Sequence, residues 1–113
     1  MFKLSLSPMV WATGCKVEWT TDEGRKVESK FDVQFKRLGL KEMRDLTERN
    51  RSGELPDELF IHEVVNNWRG ITGEDGGELE FCAEELDKAI DKGLGQVMLQ
   101  AFFDTFPKAK AKN

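Results

Sequence analysis

The stretch that decides the fold, residues 26–36, reads Lys26-Val27-Glu28-Ser29-Lys30-Phe31-Asp32-Val33-Gln34-Phe35-Lys36. Every second residue from Val27 to Phe35 lies on one side of an extended chain, and the opposite side is charged or polar throughout. Because side chains alternate between the two faces of a β-strand, this pattern predicts an antiparallel strand with one face in the core and one in water.

A second strand precedes this one. Residues 15–20 alternate in the same way, with Cys15, Val17 and Trp19 on the apolar side, and residues 21–24 are turn formers. The two runs predict a β-hairpin. Phe2, Leu4 and Leu6 alternate with polar residues before Pro8, which predicts a third strand, since an isolated hairpin is marginal in water.

Four short helices are predicted after the hairpin. Apolar residues at helical spacing place them near residues 40–49, 57–68, 83–92 and 94–106. Pro56 suits the start of the second helix, which carries Phe60, Val64 and Trp68 on one face. The sequence therefore predicts one α+β domain over residues 1–113, an N-terminal hairpin or small three-stranded sheet followed by four helices. The lysine-rich end, from about residue 107, is predicted to be disordered.

One glycine-rich run interrupts these helices. The helix that ends on Trp68 is expected to stop at Gly70, and a turn over residues 72–77 leads to Phe81 and the next helix. We expect Trp68 and Phe81 to pack together and clamp the loop between them.

The composition excludes several classes of function. A net charge of -4 argues against a general nucleic-acid or anionic-membrane binder, since such proteins carry a basic surface. No segment approaches the ~20 apolar residues of a membrane helix, and the first eight residues lack the uninterrupted apolar stretch of a secretory signal, so we expect neither membrane insertion nor export by this route. Cys15 and Cys82 are far apart and form no CxxC motif, so a reducing cytoplasm is the expected location.

No catalytic or metal-binding pattern emerges. The acidic loop at residues 73–78 lacks the ligand spacing of an EF-hand, which favours a solvated turn over a calcium site. His62 has no identifiable nucleophile beside it. Cys82 is expected at a helix N-cap, where a thiolate would be stabilised, but a small buried cap residue is the simpler interpretation. We expect neither catalytic residues nor a cofactor, and a small hydrolase or metal-dependent enzyme is therefore a disfavoured alternative.

The last helix has more apolar residues than one core-facing surface needs. This excess, together with the number of aromatic residues in so short a chain, predicts binding to a partner or to a second copy of the chain. The residues predicted to bind a partner are Trp68, Val97, Met98, Phe102, Phe103 and Phe106.

The layout resembles a known family. The sharpest elements are Trp68-x-Gly70-Ile71, then Asp75-Gly76, then Phe81, and the match extends from about Val17 to Phe103. In these features the sequence resembles the tail assembly chaperones of long-tailed bacteriophages. Cys82 stands where similar sequences often have a hydroxyl residue, and Asn67 where a glycine is common.

The resemblance implies a scaffold role in the host cytoplasm. Proteins of this family bind the long helical tape measure protein, keep its apolar segments from aggregating, help recruit tail tube subunits and are absent from the finished tail. The main alternative is a structural virion component, such as a tail tube or head-tail connector protein. A permanent component would be present in purified particles, whereas a chaperone would not.

Overall fold

The computed structural model describes residues 7–73 and 75–109. Three strands and four α-helices follow one another along the chain as β1 (Met9–Thr20), β2 (Lys26–Lys36), α1 (Leu40–Arg51), α2 (Asp57–Val64), β3 (Val65–Arg69), α3 (Ala83–Ala89) and α4 (Gly95–Thr105). A π-helical turn, Ile90–Leu94, joins α3 to α4, and a 3-10 turn, Pro107–Ala109, follows α4. The chain therefore has the predicted α+β composition.

The three strands form one antiparallel sheet in the order β1-β2-β3. The predicted hairpin is confirmed, and β1 begins at Met9, earlier than expected. The third described strand is not N-terminal: it is β3, in which Trp68 lies opposite Val33 of β2. The strand predicted at Phe2, Leu4 and Leu6 lies outside the described residues.

The helix predicted over residues 57–68 ends earlier, and its last residues form a β-strand instead. Helix α2 ends at Val64, and Val65 already has extended dihedral angles, φ -84° and ψ 128°. Trp68 therefore lies in β3, although its spacing from Phe60 and Val64 fits a helix. Val65, Asn66 and Asn67 are weak helix formers, and pairing with β2 satisfies the backbone groups that a longer helix would have satisfied.

The four separate helices predicted from the sequence become three helical segments. Helices α1 and α2 are separate, but α3 and α4 form one bent segment, because only the kinked stretch Ile90–Leu94 lies between them. The bend lies at Gly93, whose φ of 102° is accessible to glycine and strained for other residues.

The core lies between the sheet and the helices. Phe102 of α4 packs edge-to-face against Phe35 of β2 and against Phe60 of α2, each at 5.3 Å between ring centres. Ala109 is only 4% exposed and packs against this core. Residues 107–109 form a 3-10 turn at the start of the tail that the sequence predicts to be disordered, and the rest of that tail, residues 110–113, lies outside the described residues.

The hairpin extends beyond the helices that cover it. The radius of gyration is 15.3 Å, above the roughly 13 Å expected of a compact domain of this length. In the half of the hairpin near its turn, Trp19 is 50% exposed, although it lies on the same face as the buried Val33 and Phe35. The helices therefore cover only the other half.

A carboxylate joins all three strands on the face opposite the helices. Asp32 of β2 accepts a hydrogen bond from the backbone N–H of Gly14 in β1, at 2.9 Å, and one from Nε of Arg69 in β3, at 2.7 Å. Arg69 also stacks on Trp11, 4.0 Å from the ring centre. The Arg69 and Gly14 donors hold the pKa of Asp32 below its usual value, so this carboxylate stays ionised.

Candidate protein-binding surface

The loop that carries the family resemblance is closed by its own aromatic residues. Trp68 is buried, and its indole Nε1 donates a 2.8 Å hydrogen bond to the carbonyl of Leu79. Phe81 packs edge-to-face on the Trp68 ring, with 5.1 Å between ring centres. The predicted Trp68–Phe81 clamp is confirmed.

The glycines of this run have defined structural roles. Gly70, with φ 85°, turns the chain out of β3, and a Cβ there would lie 3.5 Å from the backbone of Phe31. Gly76, also at φ 85°, closes the turn in which Asp75 accepts a hydrogen bond from the N–H of Gly77. The residues that resemble the family therefore build a loop and bury its aromatic side chains.

Half of the predicted partner-binding set lies in the core. Met98 and Phe102 are fully buried, and Trp68 is 4% exposed. These side chains already have partners within the chain, Phe102 with Phe35 and Phe60, and Trp68 with Phe81. They can contact another protein only if the domain opens.

The other half of the set is partly exposed, and it is divided between two sides of α4. At 100° per residue, Val97 and Phe103 are about 120° apart across the polar strip of the helix. Phe103 packs beside Phe60 at 6.0 Å, and Phe106 lies 6.5 Å from Phe35. The polar strip between these two sides consists of Gln96, Gln100 and Asp104. The sequence pattern brought these residues onto one helix, but the structure does not unite them in one patch.

Val97 lines an open groove between α4 and β1. Its volume is about 690 Å³. The lining side chains of α4 and β1 that are apolar and partly exposed are Val97, Ala101, Ala12 and Cys15. Polar groups, among them Gln100 and Asp104, form the rim. An apolar floor with a polar rim is typical of a site for apolar side chains of another molecule.

The floor of this groove is shaped by an irregularity in β1. The pairing of β1 with β2 shifts between Ala12 and Cys15, and Gly14 lies between them with φ 66°. The bulge is held by the hydrogen bond from Gly14 to Asp32. Burial, with a smaller contribution from Asp32 and Asp104, raises the pKa of the Cys15 thiol, so it stays protonated and behaves as a small apolar side chain.

His62 and Cys82 lie at structural positions in the helices. His62 of α2 lies 2.6 Å from a carboxylate oxygen of Asp87 in α3, which links the two helices. Cys82 is the N-cap of α3, as predicted, but it is exposed rather than buried and makes no capping hydrogen bond. Within residues 7–73 and 75–109, no group of three or more His, Cys, Asp or Glu side chains is placed to hold a metal ion.

Sequence reasoning missed part of the exposed apolar surface. Ala12 and Ala101 line the groove, and neither stands out in a sequence because alanine is common in both helices and strands. Trp19, Leu40 and Leu59 are each 50% exposed. The position of Trp19 one residue before the end of β1 is the signal that could have identified it, because a strand end next to a turn often extends past the core.

Comparison with known proteins and structures identifies no relative of this chain. No protein-family model, curated protein or solved structure matches this chain.

None of the helices in the described part of the chain has both the length and the apolar character needed to cross a membrane.

Proposed function

We propose that this chain is a phage or prophage tail assembly chaperone. In this role it binds the tape measure protein in the host cytoplasm, helps to recruit tail tube protein, and leaves before the virion is complete. The proposal depends on the resemblance at Trp68-x-Gly70-Ile71 and Phe81. The observation that carries it in the structure is the apolar groove between α4 and β1.

The groove suits a helical client. An amphipathic helix docks by laying the side chains of one apolar face into a groove, and the partly apolar groove of about 690 Å³ can receive such side chains. Val97 and Ala101, one turn apart on α4, would contact the apolar stripe of the client, and Gln100 and Asp104 would remain at its polar edge.

A contact of this size gives weak, reversible binding. Interfaces that bury less than about 1,200 Å² in total are typical of transient complexes. The buried Met98 and Phe102 would support the groove from beneath rather than touch the client. Weak binding is what a chaperone needs, since tail tube subunits must later displace it from the tape measure protein.

The test is co-expression with the product of the adjacent downstream gene, which the proposal expects to be a long, helix-rich tape measure protein. We expect the wild-type chain to keep that protein soluble and to co-purify with it. Val97→Asp places a charge on the apolar floor of the groove and should abolish both effects while the circular dichroism spectrum is retained. Phe102→Asp is unsuitable, because Phe102 is fully buried and the charge would unfold the domain.

Leu40→Asp is the matched control. Leu40 is an exposed apolar residue of α1 outside the groove, and its substitution should leave the co-purification unchanged. Equal loss in both variants, or retained binding in Val97→Asp, would remove the groove from the proposal. Mass spectrometry of purified particles distinguishes the proposed chaperone from a structural virion component. A structural component would be present in the particles, and the chaperone would be absent.

A further inference from the structure

Strand β1 lies at one edge of the sheet. Among the described residues, only β2 pairs with it, so its second edge is open there. Beyond the bulge at Thr13 and Gly14, residues 15–20 pair with β2 without interruption up to the turn. An open edge of this kind can accept another strand through main-chain hydrogen bonds.

The charges on this half of the hairpin are badly matched within one chain. On the face opposite the helices, Lys16 lies directly across from Lys30 of β2. The next pair on the same face, Glu18 and Glu28, also joins like charges. Like charges directly opposite each other destabilise a sheet, so each of these two pairs is unfavourable within the hairpin.

We propose that β1 pairs antiparallel with β1 of a second copy, about a two-fold axis at Val17. Each Lys16 then lies opposite Glu18 of the second copy, and each Glu18 opposite its Lys16. The charges that are mismatched across the hairpin thus gain an opposite charge on their other side. The two sheets join into one continuous sheet.

The charges favour this register over the two neighbouring ones. In an antiparallel pair of identical strands related by a two-fold axis, the axis passes through one residue and its own copy. An axis at Lys16 or at Glu18 would place that residue against its own like charge. An axis at Val17 pairs both residues favourably and lets pairing run from Gly14 at the bulge to Thr20 at the end of the strand.

The same register gives Trp19 a place to pack. It sets Trp19 opposite Cys15 of the second copy, on the face that the helices cover. Cys15 lines the groove beside α4, so the half-exposed indole would lie at the groove of the other copy. The inference goes beyond the proposed client binding and does not depend on it.

Charge reversal gives the sharpest test, because it affects the monomer and the dimer in opposite directions. Lys16→Glu replaces the Lys16–Lys30 mismatch with a favourable pair, so thermal unfolding of the monomer should move to higher temperature. In the dimer the same change sets two glutamates against each other at both symmetry-related positions. We expect the dimer Kd, measured by sedimentation equilibrium, to rise by about tenfold or more.

The double reversal is the matched control. Lys16→Glu combined with Glu18→Lys restores both contacts across the two-fold axis, so the dimer should return to near wild-type affinity. A wild-type chain that stays at the monomer mass of 12.9 kDa up to about 1 mM would overturn the proposal. So would a dimer that is insensitive to Lys16→Glu, or one that the double variant fails to restore.

A cross-link tests the register itself. In a chain with Cys15→Ala and Cys82→Ser, Val17→Cys places one thiol opposite its own copy at the axis, within the ~4.5 to 5.5 Å Cα separation of facing strand residues, which a disulfide can bridge. Thr20→Cys, on the same strand but away from the axis, should not cross-link. Equal cross-linking at both positions would contradict the Val17-centred pairing.

A shortened chain tests whether the edge of β1 pairs with a second copy or is covered by residues of the same chain. Deleting residues 1–6 should leave the dimer affinity unchanged. If the shortened chain dimerises while the full chain stays monomeric, the first six residues occupy the edge of β1 and the proposal is wrong.

Discussion

The two halves of the β1–β2 hairpin have the same sequence pattern and opposite environments. Next to the helices, the apolar face carries Val33 and Phe35, both 0% exposed. Near the turn, the equivalent positions are Val27 and Trp19, which are partly or half exposed. The alternation that predicts a strand therefore says nothing about how far along the strand the core extends.

The difference comes from elements far away in sequence. The buried half is covered by α2 and α4, which supply Phe60 and Phe102, whereas none of the described elements covers the half near the turn. A strand face that the chain leaves open is available to another molecule.

Removing one large side chain from each half should give the clearest difference. Phe35→Ala deletes a ring that contacts Phe102 and Phe106, and it should lower the free energy of unfolding by about 3 to 5 kcal/mol. Trp19→Ala should change it by less than about 0.5 kcal/mol. Urea denaturation measures both, at concentrations where the chain is monomeric. Similar losses would show that the half near the turn is covered after all.

The hydrogen bonds of two indole groups, one buried in the loop clamp and one exposed on the hairpin, can be compared in the same way. Trp68→Phe removes the donor to the Leu79 carbonyl from a buried position and should cost about 1 to 3 kcal/mol. Trp19→Phe is the control, since it removes a similar 2.9 Å bond to Ser29 from an exposed position. The control should stay within about 0.5 kcal/mol of wild type. Equal effects would mean that burial does not decide the contribution of these bonds.

Asp32 lies where the covered half of the hairpin meets the open half, and its role depends on pH. Its pKa is lowered in the folded state, so its contribution to stability is complete above the unfolded value of about 3.9 and is lost as pH falls through the lower folded pKa. Asp32→Asn should cost about 1 kcal/mol at pH 7 and flatten the loss of stability as pH falls below about 4.

Urea titrations across this pH range measure both effects of Asp32→Asn. An unchanged acid profile would show that the bonds from Arg69 and Gly14 do not hold the strands together. Glu28→Gln on the same strand and face is a suitable control, because the exposed Glu28 lies opposite another glutamate rather than a donor.

Much of the fold follows from the sequence, and the exceptions have physical causes. The hairpin, the start of α2 after Pro56 and the Trp68–Phe81 clamp are all present. The third described strand was missed because Trp68 continues the helical spacing of Phe60 and Val64, and only pairing with β2 reveals that residues 65–69 are extended. Long-range pairing of this kind leaves little trace in a short segment.

The candidate site was harder to predict than the fold. The apolar width of α4 indicated surplus surface, but the helical period cannot tell which residues face the sheet and which flank it. Met98 and Phe102 therefore looked equivalent to Val97, although they are buried and Val97 lines the groove. The bulge at Gly14, which shapes the other wall of the groove, depends on a contact with Asp32 that is 18 residues away.

The order of the elements along the chain has a consequence for synthesis. When the ribosome has just synthesised the hairpin, the segment that covers Phe31, Val33 and Phe35, ending near residue 109, is still to be made. At about 5 to 20 residues per second this interval lasts about 4 to 15 s. During that interval the apolar face of β2 has no helices to cover it. The yield of folded protein should therefore depend on translation speed and on ribosome-associated chaperones.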